Sequence, residues 1–388
     1  MTMSADKTTL PLTQLHLSGY KSIAQADLPI GPLNVLVGAN GAGKSNLIGF
    51  LGLMRDLVDG QLQLHIGKAG GPDALLHYGR KTTEALSATL TFGEHQYWLR
   101  LAPTADNRML FANEGDCCPP TAPQDLGHGH FESRCGSGDH PMAPALLASM
   151  RRWVLYHFHD TGADARVKQI HALNDNGYLR PDARNLAAYL LRLRETVPEH
   201  YQRILRTVRL VAPFFGDFHL RPTPMNPDMI ELEWVERGQD LPFKAHALSD
   251  GTLRFICLAT LLLQPQDRRP SLILIDEPEL GLHPYAITVL AGLLKSTAQQ
   301  NQLLVSTQSV ELISECDPED LIVVDRHQGQ SAFRRLDATA LQDWLQEYSL
   351  GELWKKNVIG GRPGAHLRQP LAMDARSTLT ALCCHGLS

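Results

Sequence analysis

A lysine and a serine behind a glycine-rich octet are the residues here whose spacing most plainly implies chemistry. Gly38-Ala39-Asn40-Gly41-Ala42-Gly43-Lys44-Ser45 fits the G-x-x-x-x-G-K-S pattern of a phosphate loop. Its glycines let the backbone curl until successive N–H groups face one anion, and a following helix adds its positive end. Lys44 is placed to reach β- and γ-phosphates, and the Ser45 hydroxyl to bind Mg²⁺. Gly38, Asn40, Gly41, Gly43, Lys44, Ser45 and Asn46 are therefore candidate nucleotide contacts.

Two further stretches supply what binding alone lacks. Leu272-Ile273-Leu274-Ile275-Asp276-Glu277 reads as a buried parallel strand ending in an acidic pair. Behind a phosphate loop, Asp276 is expected in the Mg²⁺ shell and Glu277 as the group that orients or deprotonates the attacking water. Ser249-Asp250-Gly251 opens an apolar, helix-like run; Ser249 and Gly251 there are a candidate anion site, or an ordinary serine cap.

The surrounding pattern must bring these stretches together. Residues 10–30 alternate as two strands joined near Lys21-Ser22, and the apolar 33–37 forms the strand before the loop. Residues 86–92 and 96–101 make a hairpin about Gly93-Glu94. The Gly-, Pro-, Asp- and His-rich run 103–144 reads as a loop excursion. Residues 153–158 form a strand, 186–211 are helical and carry several arginines, and 230–234 return as a strand. From 272 onward strands and helices alternate in the rhythm of a parallel sheet. The phosphate-loop strand and the Asp-Glu strand are expected to adjoin in that sheet. One head over 10–363 explains this: an N-terminal β-subdomain (10–102), an inserted helical lobe (103–247), a lobe with Ser249 and the acidic strand (248–330), a helical cap (331–363) and a tail (364–388).

Composition narrows the class. A net charge of −5 argues against a broadly basic nucleic-acid coat, though not against a local patch. No apolar run is long enough to span a membrane, and the first nine residues lack a signal-peptide core. Seven irregularly placed cysteines suggest reduced thiols and a cytoplasmic setting. Cys117, Cys118, His128, His130, Cys135 and His140 lie close in sequence but lack metal-ligand spacing and read as incidental loop residues.

The order of motifs resembles the ABC ATPases, and within them the RecF/OLD/SMC-like branch with its stand-alone bacterial ATPases of the AAA-domain group. The resemblance runs over about 15–363. Gly19-Tyr20-Lys21-Ser22, Tyr156-His157-Phe158-His159-Asp160-Thr161, residues 248–254 and 275–284, and Ser306-Thr307-Gln308-Ser309 carry it. Tyr348-Ser349-Leu350-Gly351-Glu352-Leu353-Trp354 and Gly360-Gly361-Arg362-Pro363 are its most specific pieces.

That resemblance implies an α/β P-loop NTPase: an ABC-type head with an antiparallel β-subdomain, a mostly parallel central sheet and an inserted helical lobe. It implies ATP and Mg²⁺ as ligands and a homodimer formed on ATP binding, with Ser249 and Gly251 of one subunit capping the γ-phosphate held by the other. Lys21 and Ser22 then lie beside the nucleotide, although Lys21 also fits a solvated hairpin. His159-Asp160 falls where such heads place the Q-loop, with Asp160 as a metal contact, unless the histidines merely alternate on a strand. Gln308 stands where many relatives carry a switch histidine; it can hydrogen-bond water or phosphate but cannot take a proton.

Three outputs follow from the resemblance. One is an ATP-driven dimerising switch coupled to DNA maintenance, repair or anti-phage defence, binding DNA directly or through a separately encoded effector. A second is the energy subunit of a transporter, disfavoured by the long spacing between Ser45 and Ser249 and by the altered Asp250-Gly251-Thr252 signature. A third is an ATP-gated nuclease like the OLD proteins, for which the stretch after Glu277 is expected to be too short; an ATPase regulating a separate nuclease or toxin remains consistent.

Overall fold

The computed structural model describes residues 10–136 and 144–361. Alternating apolar residues fold as β1 (Gln14–Tyr20) and β2 (Ile23–Pro29), joined at Lys21-Ser22. β3 (Leu33–Val37), buried at every position, runs into the phosphate loop and α1 (Lys44–Val58). Two short helices, α2 (Leu62–Ala69) and α3 (Pro72–Leu75), precede the hairpin of β4 (Leu86–Phe92) and β5 (His95–Pro103).

The run read as a loop excursion instead supplies β6 (Met109–Cys117) and β7 (Gln124–Gly127). Glu114 on β6 breaks the apolar alternation and hides the strand. It is fully buried, and its carboxylate accepts from the Tyr97 hydroxyl at 2.6 Å, the Arg134 N–H at 2.9 Å and the Ser133 hydroxyl, with His130 Nε2 at 2.7 Å. A buried carboxylate persists only when so satisfied, and here it staples the 130–134 segment to the sheet. The antiparallel order is β2-β1-β4-β5-β6-β7. His140 lies outside the described residues.

After α4 (Pro144–Arg151) and β8 (Trp153–Tyr156) comes an inserted region. It contains β9 (His171–Ala172), α5 (Leu186–Thr196) and α6 (Pro198–Val211), the two helices broken at Pro198. β10 (Phe215–Phe218), β11 (Pro222–Thr223), β12 (Asn226–Ile230), β13 (Glu233–Glu236) and β14 (Pro242–Lys244) follow. The single strand expected over 230–234 is thus split. Ile230 ends a strand in the sheet β11-β12-β9, whereas Trp234 pairs with Phe218 and Phe243 in β10-β13-β14. Alternation continues through the break because the chain changes partners without changing its buried face.

The remainder is α7 (Asp250–Leu263), β15 (Leu272–Asp276), α8 (Pro284–Ala298), β16 (Gln302–Thr307), α9 (Val310–Ser314), β17 (Leu321–His327), β18 (Gln330–Arg335), α10 (Ala338–Leu341) and α11 (Leu350–Lys355). The central sheet has the order β18-β17-β3-β16-β15-β8 and is parallel except for β18. Period-two geometry sends Leu36, Leu272, Leu274 and Leu304 to one face, against α1 and the antiparallel sheet. Val35, Ile273, Ile275 and Val305 go to the other, against α5 to α8. Both faces are covered, which explains the uninterrupted apolar runs.

A third expectation is overturned. The phosphate-loop strand β3 and the acidic strand β15 do not adjoin; β16 lies between them and pairs with both. The crossover through α8 returns the chain to the gap, so residues 306–308 end up between the two motifs.

Candidate functional site

The phosphate loop is held from behind. A Cβ at Gly38 would stand 2.3 Å from the Val324 carbonyl oxygen, so only glycine lets the loop leave β3 so close to β17. Gly43 has φ 116° and lies over Ser331, whose hydroxyl donates to the Ala42 carbonyl at 2.5 Å. Asn46 Nδ2 donates to Ser22 Oγ at 2.7 Å, and Ser22 Oγ lies 2.6 Å from Ser331 Oγ. Ser22 and Asn46 therefore brace the loop. Gly43 caps α1 without any side-chain hydrogen bond, which leaves the first amides of the helix facing the cavity.

Lys44 is almost fully buried and donates to the carbonyls of Gly38 at 2.6 Å and Ala39 at 3.2 Å. Desolvation lowers its pKa, opposed by the carboxylates of Glu277, Asp276 and Glu279. The ammonium thus sits in a negative field that a phosphate would replace.

Three parallel strands end on the acidic side. Ser45 Oγ donates to Asp276 Oδ2 at 3.1 Å, and Ser306 on β16 donates to the other carboxylate oxygen. Glu277 adopts a left-handed φ of 41°, its N–H on the Ser306 carbonyl at 3.0 Å. That turn directs Glu277 into the cavity, where it is one of the lining residues. Gln308 Nε2 donates both to Asn40 Oδ1 at 2.6 Å and to Glu277 Oε1. Behind them Glu279 is buried, accepting from the Thr307 hydroxyl and from the Gln308 N–H at 3.2 Å.

The resulting cavity is about 570 Å³, a size that suits a nucleotide, and Lys21 closes one side of it. Asp160 is not brought to it. β8 ends at Tyr156, in register with Ile275, which sets His157 level with Asp276. Desolvation and His159 lower the His157 pKa while Asp276 opposes them. Asp160 lies beyond, on an exposed turn, accepting from the Gly162 N–H at 3.3 Å. Ser249 and Gly251 are also outside the cavity. Ser249 Oγ caps α7 by accepting from the Thr252 N–H at 3.2 Å, and Gly251 packs on Gly281, where a Cβ would meet a carbonyl oxygen at 2.3 Å.

Sequence reasoning missed several residues here: His157, Glu279, Ser306, Thr307, Tyr78 and Arg326. The first four lie at or just beyond the ends of β8, β15 and β16, inside stretches that carry the family resemblance but whose roles there were not assigned. Tyr78 and Arg326 reach the cavity from segments with no motif.

Comparison with known proteins bears on this geometry. The family described as "AAA domain, putative AbiEii toxin, Type IV TA system" matches residues 33–96 and 130–314. The chain belongs to this family. The match to this AAA domain skips 97–129, where β6 and β7 were hidden from the sequence. The chain is 24% identical over 371 residues to an OLD nuclease of Thermus scotoductus, covering 88% of this chain and 67% of that protein. Among solved structures, an Smc head bound to the C-winged helix domain of ScpA superposes with TM-score 0.55 at 16% identity, covering 86% of this chain and 99% of that one. An Smc head from Pyrococcus furiosus, bound to the C-terminal domain of ScpA, gives 0.52 at 16% identity over 87% and 98%. The fold is that of an ABC-type P-loop head, and the AAA domain belongs with the ATPase families of the RecF/OLD/SMC-like branch. Among the described residues no helix is long and apolar enough to cross a membrane.

Proposed function

We propose that this chain binds ATP with Mg²⁺ in the cavity and hydrolyses the terminal phosphate while two copies close around the nucleotide. The convergence of Ser45, Asp276 and Glu277 at neighbouring strand and helix ends is the observation that carries this reading. The loop amides and Lys44 bind the phosphates. The Ser45 hydroxyl and the Asp276 carboxylate are hard oxygen donors suited to Mg²⁺, which would supply charge compensation on the phosphate oxygens. Glu277 accepts the proton of the water that attacks the γ-phosphorus, as the bond to the ADP oxygen breaks. Gln308 holds Glu277 and Asn40 in a common frame. His157, level with Asp276, takes the strand-end place first assigned to Asp160.

Ser249 caps α7 outside the cavity of its own subunit, so a two-fold-related copy is the natural source of the second anion-binding helix end. A nuclease or toxin-related partner is favoured over direct DNA contact by the inserted helices. There Arg192, Arg194, Arg206 and Arg209 donate to Asn176 and to the carbonyls of Leu220, Gln202 and Gly216, while Arg203 on α6 is exposed. The family description and the OLD nuclease relative point the same way, towards defence or DNA maintenance. Phosphate release from Mg²⁺-ATP, with light scattering of Glu277→Gln in ATP, tests the proposal. No hydrolysis, or hydrolysis by a strict monomer, removes it.

A further inference from the structure

Tyr78 reaches the cavity from the segment between α3 and β4, and Arg326 from β17 beside its hairpin turn. Tyr78 is 59% exposed, yet its backbone is tightly held. It has a left-handed φ of 55°, which non-glycine residues adopt mainly where surroundings impose it. The imposing contacts lie on both sides. The His77 N–H donates to the Gly19 carbonyl at 3.1 Å, His77 Nδ1 lies 2.6 Å from the Lys21 carbonyl oxygen, and the Gly79 N–H donates to the Leu76 carbonyl at 3.1 Å. The His77 ring packs on the Tyr78 ring with centroids 4.4 Å apart.

At its far end the Tyr78 hydroxyl meets Gly329, where a Cβ would stand 1.9 Å from it. Gln328 and Gly329 both have positive φ and make the tight turn that brings the hairpin within reach. Arg326 then crosses to the phosphate loop, donating to the Gly41 carbonyl at 3.0 Å and the Gly329 carbonyl at 3.3 Å. Tyr78 and Arg326 thus both line the cavity that holds the phosphate loop.

We infer that Tyr78 and Arg326 form the nucleobase platform of this site, reading the π-face of a purine and not its edge, so that ATP and GTP are both accepted. This rests on the nucleotide-binding reading above. Stacking on aromatic rings and guanidinium planes tolerates any base, because every base has a π-face. Rejecting the wrong purine needs a paired donor and acceptor aimed at the base edge. Each asparagine of the site has half of its amide engaged, Asn40 Oδ1 by Gln308 and Asn46 Nδ2 by Ser22, so neither offers the full donor–acceptor pair. Lys21 offers donors alone.

Equilibrium binding of Mg²⁺-ATP, Mg²⁺-GTP and inorganic tripolyphosphate to wild type, Tyr78→Ala and Tyr78→Asn tests this. Asparagine tolerates the left-handed backbone and guards against a disturbed loop. Wild type should bind ATP and GTP within about tenfold of each other, and both substitutions should weaken each nucleotide by about tenfold or more. Tripolyphosphate affinity should not change in either. A preference for one purine above about a hundredfold, or nucleotide affinities unmoved in both variants, overturns the inference. Failure of wild type to bind tripolyphosphate and both nucleotides overturns the binding reading instead.

Discussion

The side-chain nitrogen of Gln308 donates at once to Asn40 Oδ1, at 2.6 Å, and to the Glu277 carboxylate. One amide therefore ties the phosphate loop to the carboxylate proposed to activate water, and it can do so because β16 lies between β3 and β15. Gln308→Ala should leave ATP affinity nearly unchanged and lower kcat by about 10- to 100-fold, since Glu277 loses its orienting partner. Steady-state phosphate release decides it. Unchanged kcat would make the contact a passive one.

Lys44 and Glu277 should fail in opposite ways. Lys44→Ala removes the buried ammonium that answers the phosphates and should abolish ATP binding. Glu277→Gln keeps the shape but cannot take a proton, so it should bind ATP and stall. Calorimetry on both variants gives the comparison. Tight ATP binding by Lys44→Ala would end the phosphate-loop assignment.

Ser249→Arg should spare ATP binding, because Ser249 does not line the cavity of its own subunit. It should block dimerisation and turnover. Mixed with Lys44→Ala subunits, it should restore at most one competent site per pair. Full activity of Ser249→Arg, measured by phosphate release and light scattering, would exclude the proposed cap.

Glu279 gives the fold a pH dependence. Burial holds its carboxyl above the ordinary range, and the hydrogen bonds from Thr307 and Gln308 only partly offset this. A raised folded-state pKa means stability present in acid, lost as pH rises through that pKa. Glu279→Gln keeps an oxygen to accept from Thr307 and carries no charge. Its melting temperature should match wild type below about pH 4 and exceed it by a few degrees, on the order of 2–4 °C, at pH 8. A pH-independent difference between the two curves would contradict this.

The sequence reveals these elements unevenly, for physical reasons. Buried parallel strands such as β3 and β15 are uninterrupted apolar runs, and Gly38 to Ser45 is constrained by phosphate geometry, so both were legible. β6 was not, because Glu114 puts a carboxylate where alternation demands an apolar side chain, and only its four partners make that tolerable. Strand order was also out of reach. Nothing local distinguishes β15 beside β3 from β16 beside β3, since the decision belongs to the α8 crossover. Asp160, given a metal contact by the resemblance, lies outside the cavity because β8 ends at Tyr156, two residues before the expected end at 158. Tyr78 and Arg326 belong to no motif, and only the folding of two distant segments onto the loop brings them in.

The β17–β18 hairpin has one more consequence. The AAA-domain match ends at residue 314, yet Arg326 and Ser331 beyond it grip the carbonyls of Gly41 and Ala42. A fragment cut at the limits of the match would retain the glycine-rich octet, the signature serine and the acidic pair. It would lose the two props that shape the octet into a phosphate cradle. The shape of the phosphate loop therefore depends on a hairpin that no signature marks, with Ser331 holding the carbonyl two residues before Lys44.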